Sequence, residues 1–343
     1  MATVHLLSAA DHASSPWEYA FDDLARMRRS AANDRFGVHT LTDDPAAADV
    51  ILFVENCDPI RHYFEVRRHP VYRAHPERCF LFSRYDHPVP FLPGVYASIP
   101  QRWHDPTRTR GGLYLNAFDH PFLEYTPGPT TRDYLYSFIG QVGTHPLRAA
   151  LMDLPDDEGF LFDTTPYWPY AELDDETRSA LERQYVDVAT RSRFVLCPRG
   201  LGASSIRLFE MMRMGRAPVI ISDEWTPPDG PDWEAFSVRV AEADVDELPD
   251  ILRARADAAD QMGERARRCW EDWFSEEVTF HRVTNWCLDL NTERASRFAV
   301  PWSRVLPQLA RPTYLRSLLH TTYDQLKKRR AQRRTARAAS SPA

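Results

Sequence analysis

Arg193-Phe-Val-Leu-Cys-Pro-Arg-Gly-Leu-Gly-Ala-Ser-Ser-Ile-Arg-Leu-Phe-Glu-Met-Met-Arg-Met-Gly-Arg-Ala-Pro-Val-Ile-Ile-Ser-Asp223 decides the fold class of this chain. Phe194 to Cys197 is a continuous apolar run, the pattern of a parallel strand covered on both faces. Pro198 has no N–H to give a ladder, so the strand should stop there. Gly200 and Gly202 then permit close backbone approach and positive φ. Ser204 or Ser205 suits the N-cap of a helix reaching about Met214, with Gly215 as the residue that ends it. A second apolar run from Pro218 delivers Ser222 and Asp223, which completes a βαβ unit.

The chemistry of that unit favours an anion. The first-turn N–H groups of the helix and the positive end of its dipole face the glycine turn, a gap of phosphate size. Arg199 adds a permanent charge on a planar fork. Glu210 sits further along the helix, where a carboxylate can accept both hydroxyls of a ribose. Ser222 and Asp223 reach the same carboxyl edge of the sheet, where open α/β sheets bind ligands. Each residue also has a purely structural reading. The serines can be caps, Arg199 a surface charge, and Glu210 the helical partner of Arg207 or Arg213. Gly200-x-Gly202-x-x-Ser205 with Asp223 downstream approximates a dinucleotide fingerprint, but Ser205 stands where Gly or Ala is wanted. A nicotinamide-dependent oxidoreductase is therefore a second reading.

Cys197-Pro-Arg-Gly200, the Ser-x-Arg-Leu-Phe-Glu run ending at Glu210, and Pro218-Val-Ile-Ile-Ser-Asp223 together resemble the exostosin family of glycosyltransferases, glycosyltransferase family 47. Asp133-Tyr-Leu-Tyr-Ser-Phe-Ile-Gly140 with Arg148, Asp232-Trp-Glu-Ala-Phe-Ser-Val238 and Leu248-Pro-Asp-Ile-Leu252 extend the resemblance in consistent order. It implies an α/β protein of GT-B type: two Rossmann-like domains facing across a cleft, with a C-terminal helix crossing back. It also implies inverting transfer from a nucleotide-diphosphate sugar, commonly a UDP-sugar, to a glycan or other glycoconjugate acceptor. On this resemblance Glu210 holds the nucleotide ribose, and Arg199, Ser204 and Ser205 hold the diphosphate. Gly140, Arg148, Gly200, Arg207, Ser222 and Asp223 complete the donor side. No Asp-x-Asp accompanies the glycine turn, so neither a metal nor another cofactor is expected. A non-catalytic nucleotide-sugar or glycan-binding relative is the alternative within the family.

Inverting transfer needs a general base for the acceptor hydroxyl. Asp86-His87, in a loop with Arg84 and Tyr85 just past the apolar run 79–82, is the preferred candidate. Glu55 and Asp58 are rivals and Asp119-His120 a third, although an Asp or His in a loop is more often a turn or cap residue. Tyr63, Tyr85, Tyr96, Trp103, Tyr114, Tyr167, Trp168 and Tyr170 are aromatic candidates for stacking on sugar faces, or for lid packing.

Composition agrees with a globular enzyme. The 343 residues suit two domains, and 43% are apolar without any run approaching a membrane helix. The expected division is 1–128, an acceptor domain; 129–300, the donor domain; 301–326, a helix packing across both; and 327–343, a basic disordered tail. In the first domain, apolar runs at 4–7, 38–41, 50–54 and 79–82 read as strands and 17–29 and 59–68 as helices. In the second, strands are expected near Leu135, Phe160, Phe194 and Val219, and helices over 245–255 and 257–274. Five widely spaced cysteines without Cys-x-x-Cys, and an N-terminus without a basic leader, suggest a reduced, cytoplasmic protein; since animal and plant exostosins are membrane-anchored in the Golgi, the resemblance then implies a bacterial-type member. The net charge of −7 includes a basic tail, which argues against specific nucleic-acid binding by the acidic body. The tail from Lys327 to Arg337 reads either as a contact with anionic membrane or as a solubilising segment.

Overall fold

The computed structural model describes residues 1–9, 23–56, 59–127, 131–155 and 157–292. The first unit comprises β1 (Thr3–Leu7), α1 (Asp23–Ala32), β2 (Thr40–Leu41), β3 (Val50–Glu55), α2 (Pro59–Arg68), α3 (Pro70–Ala74), β4 (Cys79–Ser83), β5 (Gly94–Tyr96) and β6 (Thr109–Gly111). The second comprises β7 (Tyr134–Gly140), α4 (Pro146–Leu151), β8 (Gly159–Asp163), α5 (Asp175–Thr190), β9 (Ser192–Pro198), α6 (Ile206–Met214), β10 (Ala217–Ile221), β11 (Val238–Val240), α7 (Leu248–Arg253), α8 (Ala259–Trp273) and α9 (Glu276–Thr292).

Both sheets are parallel throughout, in the orders β2-β1-β3-β4-β5-β6 and β11-β10-β9-β7-β8. Each is wound alike. The chain steps from a first strand to a second at its side, then returns to build outward on the other side. Such sheets split at the switch point between the first and third strands, and ligands bind outside the carboxyl ends there. In the second unit that point lies between β7 and β9. The two units face each other across a cleft, the GT-B arrangement.

The βαβ unit forms as its residues dictate. β9 ends on Pro198, and β10 pairs with it in parallel from Ala217↔Phe194 to Ile221↔Pro198. Gly215 ends α6 with φ +68°, a left-handed conformation for which glycine is suited. Gly200 and Gly202 are not among the described glycines with positive φ, so they serve close approach instead. The strand expected at 38–41 shortens to β2, an edge strand whose exposed residues gain little by extending it. β5 and β6 are fully buried but only three residues long each, too short to show a period in sequence.

Helix α9 returns from the second unit to pack on α1 and the first sheet. Ser30 donates to the Glu276 carbonyl at 2.5 Å, and its hydroxyl accepts from the Phe280 N–H at 2.9 Å. Arg29 pairs with Glu276 at 2.6 Å. The crossing helix expected at 301–326 and the basic tail lie outside the described residues. One apolar cluster runs through both units, joining Val4, Leu52 and Phe82 to Phe209, Met212 and Trp225. Phe209 is its hinge pin, with ring centroids 6.3 Å from Tyr114 and 5.2 Å from Phe274. A continuous core of this kind resists relative domain motion.

Helices α6 and α8 meet where a β-carbon on Gly263 would stand 2.3 Å from the Gly215 carbonyl oxygen. Backbone cannot yield there, so Gly263→Ala is expected to destabilise the fold by about 1–3 kcal/mol in urea denaturation. An unchanged midpoint would show that the two helices are not held in this contact.

Candidate active site

Beyond Ser137 the ladder between β7 and β9 stops, and two arginines fill the split. Arg148 donates from Nε to the Arg199 carbonyl at 2.9 Å, from Nη1 to Gln141 at 3.1 Å and from Nη2 to Pro198 at 3.2 Å. Arg207, in the first turn of α6, donates from Nη2 to the Ile139 carbonyl. Both guanidinium groups lie over the Phe138 ring, at 5.6 and 4.8 Å from its centroid. Burial, and then the charge of Arg207, lower the pKa of Arg148 to about 9, which still leaves it cationic at neutral pH. The glycines exist to admit these groups. A β-carbon on Gly140 would lie 2.6 Å from Arg207 Nη2, and one on Gly200 would lie 2.9 Å from Arg148 Nη2.

A cavity of about 330 Å³ opens beside them. The second unit lines it with the glycine turn (Gly200, Leu201, Gly202), Ser204, Ser205, Ile206, Arg207, Gln141, Thr144, Arg148 and Trp168; the first unit contributes Arg84, Asp86, Tyr114 and Asn116. Three arginines therefore face one carboxylate at the N-terminal end of a helix, a setting that favours an anionic ligand. Asp86 Oδ1 accepts from the Tyr114 hydroxyl at 2.8 Å. Burial, and then the charge of Asp86, push the Tyr114 phenol well above its ordinary range, so it remains a donor. A larger hollow of about 760 Å³ lies by Arg213 and α8, but at the carbonyl end of α6, where the dipole disfavours anions.

The first unit closes directly on the glycine turn. The Ser204 N–H donates to Ser98 Oγ at 3.1 Å, and a β-carbon on Gly202 would stand 2.1 Å from that oxygen and 2.7 Å from the Asp86 carbonyl. Ser205 occupies the N-cap position of α6, yet its side chain caps nothing. Ser204 Oγ, Arg207 Nε and Asn116 Oδ1 are buried without a protein partner. Native folds rarely tolerate such atoms, and here three belong to residues lining one cavity.

The cavity thus gathers Asp86, Arg148, Gly200, Ser204, Ser205 and Arg207, with Gly140 behind it. The remaining candidates are placed elsewhere. Arg199 is turned toward Glu242 and Glu224, at 3.4 and 3.6 Å, because their carboxylates neutralise it at the end of the sheet. Ser222 Oγ donates to the Ala203 carbonyl at 2.7 Å and fastens the turn to β10. The Asp223 and Glu242 backbone N–H groups each donate to the other residue's carboxylate, at 3.0 and 3.1 Å, a loop clasp at the surface. Glu210 is buried beside the cavity rather than lining it, accepting from the Tyr185 hydroxyl at 2.6 Å. His87 is outside the lining and packs edge-on to Tyr85.

Among the rival bases, Glu55 accepts from the Ala9 N–H at 2.6 Å and Ser8 Oγ at 2.8 Å, and Asp119 is paired to Arg26 and Arg29. His120 stacks at a tilt on Tyr185, and burial lowers its pKa. Asp58 lies outside the described residues. Of the aromatic candidates, Trp168 lines the cavity while 64% exposed, and Tyr114 lies within it. Tyr96 and Trp103 are core residues of the first unit. Ser98, Asn116 and Tyr185 were not singled out by sequence. Each is an ordinary polar residue until the fold brings it against α6. Among the described residues no three His, Cys, Asp or Glu side chains are grouped to hold a metal ion, and no helix is long and apolar enough to cross a membrane.

Comparison with known proteins bears on the same region. The exostosin GT47 domain model matches residues 118–255. A protein named probable glycosyltransferase from Arabidopsis thaliana is 31% identical over 131 residues, covering 37% of this chain and 22% of its own. An exostosin-1 homolog of Caenorhabditis elegans is 33% identical over 114 residues, 30% of each chain. The chain therefore spans less than a third of the length of these relatives. Among solved structures, TarM is 8% identical with a TM-score of 0.42 over 69% of this chain and 54% of its own. The model's match takes in the glycine turn, Arg148, Arg207 and Glu210 and excludes Asp86, Ser98 and Tyr114, so the segment similar to the exostosin GT47 domain supplies the second-unit wall of the cavity.

Proposed function

We propose that this protein is an inverting glycosyltransferase that moves a sugar from a UDP-sugar to a hydroxyl of a glycan or other glycoconjugate. The observation that carries the reading is the convergence of Arg148, Arg207 and the N-terminus of α6 at the sheet split, opposite Asp86, within reach of an exostosin GT47 domain. The diphosphate would sit at the glycine turn. As the bond from the anomeric carbon to the phosphate oxygen breaks, its electron pair passes to the departing diphosphate. The two guanidinium groups and the helix amides are aimed at that developing charge. The acceptor oxygen attacks from the opposite face, forming the new glycosidic bond, and its proton passes to the Asp86 carboxylate. These residues suffice in kind to stabilise the leaving group, so we assign the step to the protein's own cations, without a metal or other cofactor. Trp168, exposed at the cavity wall, offers a stacking face for a ring. We place the protein in the cytoplasm, as a bacterial-type member, with the basic run from Lys327 to Arg337 meeting anionic lipid at the inner face of the membrane.

UDP is expected to raise the melting temperature more than GDP or NAD. Stabilisation by NAD alone would sink the transferase reading in favour of an oxidoreductase. Glu210→Gln should weaken UDP about tenfold while leaving inorganic pyrophosphate affinity as it was, because a ribose carboxylate touches only the nucleoside. Equal UDP affinity would reduce Glu210 to the partner of Tyr185. Asp86→Asn should lower kcat in a UDP-release assay by about 10²- to 10⁴-fold with little change in UDP affinity. Full turnover would remove Asp86 as the base, whereas UDP binding with no turnover by the wild type would favour a non-catalytic binding protein.

A further inference from the structure

Two polar contacts sit at the cleft, one on each side of the Ser98–Tyr114 pair. The Ser204 N–H, at the opening of α6, donates to Ser98 Oγ at 3.1 Å. Ser98 stands near the Tyr114 phenol and acts to lower its pKa, and the phenol donates to Asp86 Oδ1 at 2.8 Å. Ser98 and Tyr114 are 1% and 5% exposed, so water does not compete for these bonds. Tyr114 has no freedom to swing away, because its ring packs edge-on against Phe209 of α6 in the shared core. One contact engages an amide of the turn that leads into the anion-binding helix, and the other engages the candidate base.

We propose that Tyr114, steadied by Ser98, is a positioning residue that fixes the Asp86 carboxylate relative to the donor-binding helix. The inference rests on the assignment of Asp86 made above and adds how that group is aimed. A carboxylate with one oxygen held by a phenol presents its other oxygen to the cavity and cannot rotate freely. Without that hold it would be drawn toward the cations around it, Arg84 from the same loop and Arg148 from the opposite unit. Tyr114 keeps its proton because burial and the facing carboxylate disfavour the phenolate. It is therefore a donor to Asp86 at every pH at which the enzyme would work.

The test uses the full chain, with UDP as binding probe and UDP release from UDP-glucose, UDP-N-acetylglucosamine and UDP-glucuronic acid as the turnover panel. Tyr114→Phe should keep UDP affinity within about threefold and lower kcat about tenfold or more. The acid limb of its kcat/KM profile should move to higher pH, because a hydrogen bond to the charged carboxylate is gone. Ser98→Ala should shift the same limb by less, and Ser98→Thr, which retains the hydroxyl, should restore it. A purely structural role would move melting temperature without moving the pH limb. If Asp86→Asn abolishes turnover while Tyr114→Phe and Ser98→Ala keep the wild-type kcat and profile, the positioning inference is overturned and the base stands. If Asp86→Asn turns over normally, or the wild type releases no UDP from the panel, the underlying reading falls and takes this one with it. Should Tyr114→Phe fail to fold, the Ser98 pair decides by the same criterion.

Discussion

Helix α6 is buried on almost every side, and the rest of the molecule is arranged around that fact. Seven of its nine residues, Arg207 and Glu210 among them, are buried. A helix of this length has no stability of its own in water, so it exists because both units press on it. Phe209 is wedged between Tyr114 and Phe274, and Met211 and Met212 fill the shared core. The consequence is chemical. A helix end held by packing cannot fray, so its amides keep one direction and form a ready anion site.

The same burial creates an electrostatic demand. Two guanidinium groups share one aromatic ring at the sheet split, and removing them from water is costly unless each N–H is met. Backbone carbonyls meet four of them: three accept from Arg148 and one from Arg207. Carbonyls supply hydrogen bonds but no countercharge. The surplus positive charge, together with the unpartnered atoms of Ser204, Arg207 and Asn116, leaves a place that an anionic, hydroxyl-bearing ligand completes. Arg199 shows the contrast. Glu224 and Glu242 neutralise it, and it does not line this cavity.

Much of this was legible in the chain. An apolar run closed by Pro198, a glycine turn, an amphipathic segment ended by Gly215 and a second apolar run admit few folds other than βαβ. Arg148 and Arg207 were drawn to the site by resemblance, and the geometry shows the reason: Gly140 and Gly200 lack a β-carbon where those guanidinium groups pass. Ser222 and Asp223 reach the expected sheet edge but meet the Ala203 carbonyl and the Glu242 backbone, because position at a strand end says where a side chain starts, not which partner it meets. β5, β6 and the returning helix α9 escaped notice because short buried strands carry no period and a helix's own sequence does not say which unit it packs on.

The sequence by itself determined the α/β class, the glycine turn and the type of charge that surrounds it, since each depends on neighbours within some thirty residues along the chain. Only the tertiary structure decided which polar groups belong to the site. Ser98, Tyr114 and Asp86 lie far from Ser204 in sequence and reach it through two sheets packed on one helix. A hydrogen bond needs its partners within about 3 Å, and only the packing of the shared core brings such distant residues that close.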